Sequence, residues 1–203
     1  MSATAKEVVT KDKSAKCLSY LLVLDGSAEA MAAARFAWDL ATATQAKVVA
    51  QHVLDTPASW GTLSYRLPGF VGSGVYVEAH KKITEALRSI AETIMLAYQT
   101  QAEGHHQNTE NFIDEGDKVT EICHRAAEHD LVIIGQLSTD DSAPADQSLA
   151  YRISAHCQKP VIIAKMKPLP RAEVHLSIAN RSFNEAAVDE VLAFAKSAGV
   201  PVD

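Results

Sequence analysis

Leu131-Val132-Ile133-Ile134-Gly135 is the stretch that decides the fold. Four consecutive large apolar residues end in a glycine. A polar loop of small and acidic residues, Gln136 to Gln147, follows, and Ser148 then opens a helical stretch. A continuous apolar run of this length suits a strand buried on both faces of a parallel sheet, because a half-exposed strand alternates. Gly135 suits a backbone that turns sharply or lets another group come close. Ser148 suits a helix start, where unpaired amides can hold an anion. Strand, loop and helix start in this order make the geometry in which open α/β sheets bind nucleotides, so the candidate site is placed here.

The surrounding chain repeats this grammar. Leu18 to Leu24 is an apolar strand ending at Asp25-Gly26-Ser27, and Ser27 can cap the helix that follows, with Glu29 in its favoured first turn. In the Ala-rich stretch from Ala30 to Thr44, Ala33, Phe36, Ala37 and Leu40 recur at helical spacing. Lys47 to Leu54 is a second strand. Strand, helix and strand in so few residues form a right-handed βαβ unit with parallel pairing. A long segment, Asp55 to Tyr76, carries two prolines, Trp60 and Gly69-Phe70-Val71-Gly72-Ser73-Gly74. Its glycine order is wrong for a dinucleotide fingerprint and it does not directly follow a strand, so it reads as a flexible loop over the sheet rather than a phosphate cradle. Val77 to Gln101 is a long amphipathic helix with Ile83, Leu87, Ile90, Ala91, Ile94 and Met95 on its stripe. Gly104 and the pair His105-His106 break it, and that pair reads as a solvated turn rather than a metal site. Thr109 to Ile113 is a third strand, Asp117 a helix cap, and Val119, Ile122, Cys123 and Ala126 the buried side of the next helix. After the decisive strand, Ser148 to Cys157 is a helix and Val161 to Ala164 a fifth strand. The resulting β-α-β-α-β-α-β-α-β order predicts an α/β class with a five-stranded, parallel, doubly wound sheet.

Bulk properties fit such a domain. The 203 residues are 47% hydrophobic and 22% charged, which suits a globular core. A net charge of −6 argues against a broad nucleic-acid surface, and no apolar run is long enough to cross a bilayer. Met1 to Lys16 is polar, does not read as a secretory signal, and is expected to be a disordered tail. Cys17, Cys123 and Cys157 are sparse and odd in number. They point to a reducing cytoplasm and to packing roles, with reactive or metal-binding thiols as the alternative.

Pro168 and Pro170 mark a linker, 168–172, after a domain spanning 17–167, and the pattern then restarts. Val174 to Ala179 reads as a strand and Glu185 to Ser197 as a helix. A shift of 154 positions lays Leu176 on Leu22, Ile178 on Leu24, Ala186 on Ala32 and Ala195 on Ala41. Residues 173–203 therefore read as a partial second copy. A lone strand and helix cannot bury their own faces and should dock on the first domain or on a neighbouring chain.

In order along the chain, Leu22-Val23-Leu24-Asp25-Gly26-Ser27, His52-Val53-Leu54-Asp55, Gly116-Asp117, Val132-Ile133-Ile134-Gly135 and Ser148 through Pro160-Val161-Ile162-Ile163 resemble the universal stress protein family over about residues 17 to 166. The resemblance implies a Rossmann-like sheet of the adenine-nucleotide alpha-hydrolase type with strand order 3-2-1-4-5. It also implies a homodimer formed through Val161–Lys165. Nucleotide-binding members carry Gly-x2-Gly-x9-Gly-Ser/Thr after the fourth strand. By that pattern Asp25 and Val53 match the adenosine contacts, Gly135 the first glycine, Ser138 the second position and Ser148 the closing hydroxyl. This chain departs from the pattern: Ser138 and Gln147 replace glycines, the loop is one residue short, and it holds Asp140, Asp141 and Asp146 with no Lys or Arg. One carboxylate about 5 Å from a phosphate costs roughly 3 kcal/mol at an effective dielectric near 20, before salt screening. A bridging Mg ion inverts that sign. The expectation is a cytoplasmic, dimeric stress-response regulator with weak or absent ATP binding. The alternative is an AMP- or ATP-binding member, with Mg, acting as a nucleotide sensor or slow ATPase. No nucleophile triad or paired-carboxylate arrangement is recognisable, and His52, His124, His129 and His156 read as surface or packing residues.

Overall fold

The computed structural model describes residues 17–58, 73–106, 108–137, 148–166, 174–179, 185–200 and 202. Expectations for the 1–16 tail, the glycine loop before residue 73, Ser138, Gln147 and the aspartates between them, and the proline linker fall outside these residues. The elements run β1 (Ser19–Val23), α1 (Ala28–Thr44), β2 (Lys47–Leu54), α2 (Ser73–Ala102), β3 (Thr109–Glu115), α3 (Lys118–Ala126), β4 (Leu131–Leu137), α4 (Leu149–His156), β5 (Val161–Met166), β6 (Val174–Ala179) and α5 (Glu185–Ala198). One sheet has the order β3-β2-β1-β4-β5-β6. Its first five strands are parallel in the order 3-2-1-4-5, as expected.

The two-residue period of a strand splits the core into two layers. Tyr20, Leu22 and Leu24 face one way and pack with α1, α2 and α5. Leu21 and Val23 face the other way and pack with α3 and α4. Both central strands are sealed on both sides, which is why their sequences read as unbroken apolar runs. The edge strand β3 (TENFIDE) instead alternates between half-buried and exposed positions over its first five residues. Small residues on α1 (Ala30, Ala33, Ala34, Ala37 and Ala41) are all buried and bring that helix close to the sheet. Side-chain oxygens cap three helices: Ser27 accepts from Ala30 N–H, Asp117 from Thr120 N–H and Ser148 from Tyr151 N–H.

Three readings need correction. First, α2 begins at Ser73, a turn earlier than the first periodic apolar residue, Val77. Second, its apolar stripe is wider than its buried face. Ala91, Met95, Tyr98 and Ala102 enter the core, whereas Ile83 and Ile90 stay exposed. Third, the sheet has a sixth strand. β6 pairs antiparallel with β5 from Val161↔Ala179 to Met166↔Val174. The outer edge of β5, where the resemblance placed a second copy through Val161–Lys165, is thus occupied by this chain's own β6. The following helix, α5, buries Ala187, Val191 and Ala195 and sets Phe194 edge-to-face on Phe36 of α1, with ring centroids 5.8 Å apart.

Candidate functional site at the sheet's switch point

From β1 the chain winds outward through β2 and β3, and then returns to the other side of β1 as β4. The carboxyl ends of β1 and β4 therefore flank the point where the winding reverses, and ligands of open α/β sheets bind in that crevice. Two hollows meet there and share Asp25 and Leu149. The larger, about 660 Å³, is lined by Val23, Leu24, Asp25, Val53, Leu54 and Ile122, by Ile83, Leu87, Ile90 and Ile94 of α2, and by His52, Asp55, Ala58, Lys118 and Leu149. The smaller, about 350 Å³, is lined by Asp25, Ser27, Glu29, Ile134, Gly135, Gln136, Ser148, Leu149 and Ala150.

Four of the five expected site residues converge here. Asp25 and Val53 line the larger hollow, and Asp25, Gly135 and Ser148 the smaller. Ser138 lies outside the described residues. Asp25 sits exposed at the tip of β1, and its Oδ1 accepts from Ser27 N–H at 2.9 Å, so part of its role is to close the turn into α1. Ser148 Oγ accepts from Tyr151 N–H at 3.1 Å, so the side chain caps α4. Gly135 has a different reason to be glycine than ligand approach. A Cβ there would stand 2.2 Å from the Glu29 carbonyl oxygen and 2.6 Å from the Ala30 nitrogen. The first turn of α1 lies against β4 at this point, and only a residue without a side chain admits it.

Sequence reasoning missed the rest of the wall. Lys118 opens α3 beside the cavity, and its signal was its place just after the Gly116-Asp117 turn. His52 read as a packing residue. It does pack, with Nδ1 2.8 Å from the Leu24 carbonyl, but it also lines the larger hollow. A carbonyl only accepts, so Nδ1 carries the hydrogen and Nε2 is the acceptor of the neutral ring. Burial holds His52 below the ordinary imidazole range; the bond to Leu24 opposes this, nearby Lys118 adds to it, and Asp25 offsets it in part. The ring is therefore neutral at neutral pH. His106, one of the pair that breaks α2, is engaged with Thr42 Oγ1 and the Ala46 carbonyl oxygen.

The chemistry of the two hollows differs. The larger has aliphatic walls with a few polar groups at hand, Asp25, His52 and Lys118 among them, and suits a flat or apolar body with hydroxyls at one end. The smaller has two acidic residues, Asp25 and Glu29, and no Lys or Arg among its described lining residues. The amides at the start of α4 favour an anion there, while the carboxylates oppose it.

A doubly wound parallel sheet with a crevice at its switch point defines an α/β protein of the Rossmann-like class. A family model described as the universal stress protein family matches residues 20–165, so the chain belongs to the universal stress protein family. No curated protein sequence matches the chain. Among solved structures, the chain is similar to a universal stress family protein from Burkholderia pseudomallei, with 21% identity and a TM-score of 0.53, over 71% of this chain and 93% of that one. It is also similar to the universal stress protein UspA from Lactobacillus plantarum, with 20% identity and a TM-score of 0.56, over 72% of this chain and 96% of that one. At these identities the likeness is one of fold. No described helix is long and apolar enough to cross a membrane.

Proposed function

We propose that this protein is a stress-response regulatory protein whose switch-point pocket keeps a nucleoside-sized compartment but has lost affinity for polyphosphate. One observation carries the reading: the hollow beside Gly135 and Ser148 is lined by Asp25 and Glu29 without a described cation, next to an aliphatic cavity of about 660 Å³. Three further aspartates in the loop, Asp140, Asp141 and Asp146, add to the same sign. The residues fit an uncharged or singly phosphorylated nucleoside and do not fit a triphosphate. A neutral His52 with Nε2 as acceptor and Asp25 at the rim suit hydroxyl and amino donors. Residues 173–203 fit the reading as the start of a second family domain. Since β6 occupies β5's edge, a homodimer at this end of the sheet has its seam on β6 and α5. The sparse cysteines support a cytoplasmic setting.

The test is titration of adenosine into the wild type and Asp25→Asn. The amide oxygen of asparagine still accepts from Ser27 N–H, so the turn is kept while the charge is lost. We expect binding to weaken about tenfold or more, the worth of a hydrogen bond to a charged group. Equal affinity in the two proteins removes Asp25 from the site.

A second reading is favoured by the convergence of Asp25, Gly135, Ser148 and the α4 amides on one hollow. In it Asp25 and Glu29 would hold Mg, which would offset the charge of a bound phosphate, and the protein is an AMP- or ATP-binding sensor or slow ATPase. Its mark is ATP affinity that appears only with Mg.

A further inference from the structure

Cys123 and Cys157 stand 34 positions apart, on different elements, and nothing in their spacing links them. The fold brings them together. α3 and α4 lie side by side on the same face of the sheet, Cys123 in the middle of α3 and Cys157 at the C-cap of α4. Their Sγ atoms are 2.6 Å apart, against about 2.05 Å in a disulfide. Both belong to the apolar layer that includes Ile122, Ala126, Ile153 and Val161. Cys157 is fixed by its N–H bond to the Ile153 carbonyl at 2.8 Å. A second link, Arg152 to Asp117 at 4.0 Å, runs between the same two helices. Cys157 is 3% exposed, whereas Cys123 is half-buried and is the sulfur a small oxidant reaches first.

We propose that Cys123 and Cys157 form a reversible disulfide site. A hydroperoxide supplies the oxidising equivalents. The Cys123 sulfur attacks the peroxide O–O bond, giving a sulfenic acid and releasing water (or an alcohol). The Cys157 sulfur then displaces hydroxide from that sulfenic acid, which leaves with the thiol proton as a second water. Two thiols lose two electrons and two protons in total, and the peroxide is reduced. An external dithiol returns the pair to the free thiols. Burial raises both thiols above their ordinary range, most strongly at Cys157, so the reaction is slow at neutral pH and quickens in mild alkali. The ring so closed contains β4 and α4, and Gly135, Gln136, Ser148 and Leu149 within it line one side of the switch-point crevice. Oxidation thus ties that side to α3, whose first residue, Lys118, lines the cavity. The proposal goes beyond the nucleotide reading and does not depend on it.

The test uses the full chain carrying Cys17→Ser, so that the exposed third cysteine cannot react. The protein is exposed to hydrogen peroxide at mildly alkaline pH, and remaining thiols are trapped with an alkylating agent in denaturant. The expected result is no label, a mass two hydrogens lighter, and a proteolytic peptide joining Cys123 to Cys157, all reversed by dithiothreitol. Closing a ring of this size should raise Tm by about 5–10 °C. Two alkylated thiols after exposure, a sulfinic or sulfonic acid at Cys123, or covalent dimers in place of the internal bond would each overturn the proposal. Cys123→Ala should show neither the mass change nor the peroxide-induced rise in Tm; a rise in that variant overturns the assignment equally.

Discussion

Single residues here do two jobs, and Gly135 shows it most clearly. It opens the loop of the candidate site, yet its missing side chain is what lets α1 lie against β4. The added methyl of Gly135→Ala meets backbone at 2.2 Å, and backbone yields only if the whole helix end shifts. We predict a loss of at least 1–3 kcal/mol in urea unfolding, the ordinary cost of overpacking. An unchanged midpoint contradicts this packing role. Titrating residues leave a second mark. Burial depresses His52 and His129. Burial alone would raise Asp114, but hydrogen bonds from Arg125 and Gln51 outweigh it and hold its carboxyl low. Bonds from the Thr120 backbone and hydroxyl hold Asp117 low as well. A group whose folded pKa is depressed contributes its full stability above its unfolded pKa and loses it as the pH falls through the folded one. Stability should therefore fall in two steps: one from about pH 6.5 downward from the histidines, the other from about pH 4 downward from the aspartates. Urea midpoints measured between neutral and acid pH check this; a flat profile down to about pH 4 contradicts the histidine step.

At the scale of elements, what could be read from the chain depended on whether the signal was local. β1 and β4 announce themselves because burial on both faces removes every polar position. The caps at Ser27, Asp117 and Ser148 are legible because one side-chain oxygen three residues before an amide is a local device. The direction of β6 is not local. Val174–Ala179 looks like a copy of β1, but a strand's partner and sense depend on which edge is open, and the open edge was that of β5. The α2 stripe misled for a related reason: one apolar face served both the core, through Met95 and Tyr98, and the cavity, through Ile83 and Ile90. The site was half legible. Asp25, Val53, Gly135 and Ser148 sit at strand and helix ends, where the pattern marks them; Lys118 sits at a helix start too, but only the tertiary fold brings it and His52 to the cavity. The Cys123–Cys157 pair was invisible for the same reason. Removing residues 167–203 should bare the β5 edge and uncover Phe36, and an open edge next to apolar surface invites pairing with other chains. We predict stronger concentration-dependent self-association for that shortened chain than for the full one by light scattering. No increase contradicts the role given to β6 and α5.

The molecule as a whole is a family fold with a crevice at its switch point, and the proposed reading gives that crevice a nucleoside side and an acidic phosphate side. The overall charge of −6 points the same way, since a long-range negative field does not draw in polyanions. Charge is therefore the variable that separates the two readings of this protein, and phosphate number is the way to vary it. Calorimetric titration of adenosine, AMP and ATP into the full chain, each with and without Mg, is the most direct measurement. Affinity should fall at each added phosphate, and Mg should recover little of it. Micromolar ATP binding, at or above the affinity for adenosine, contradicts it.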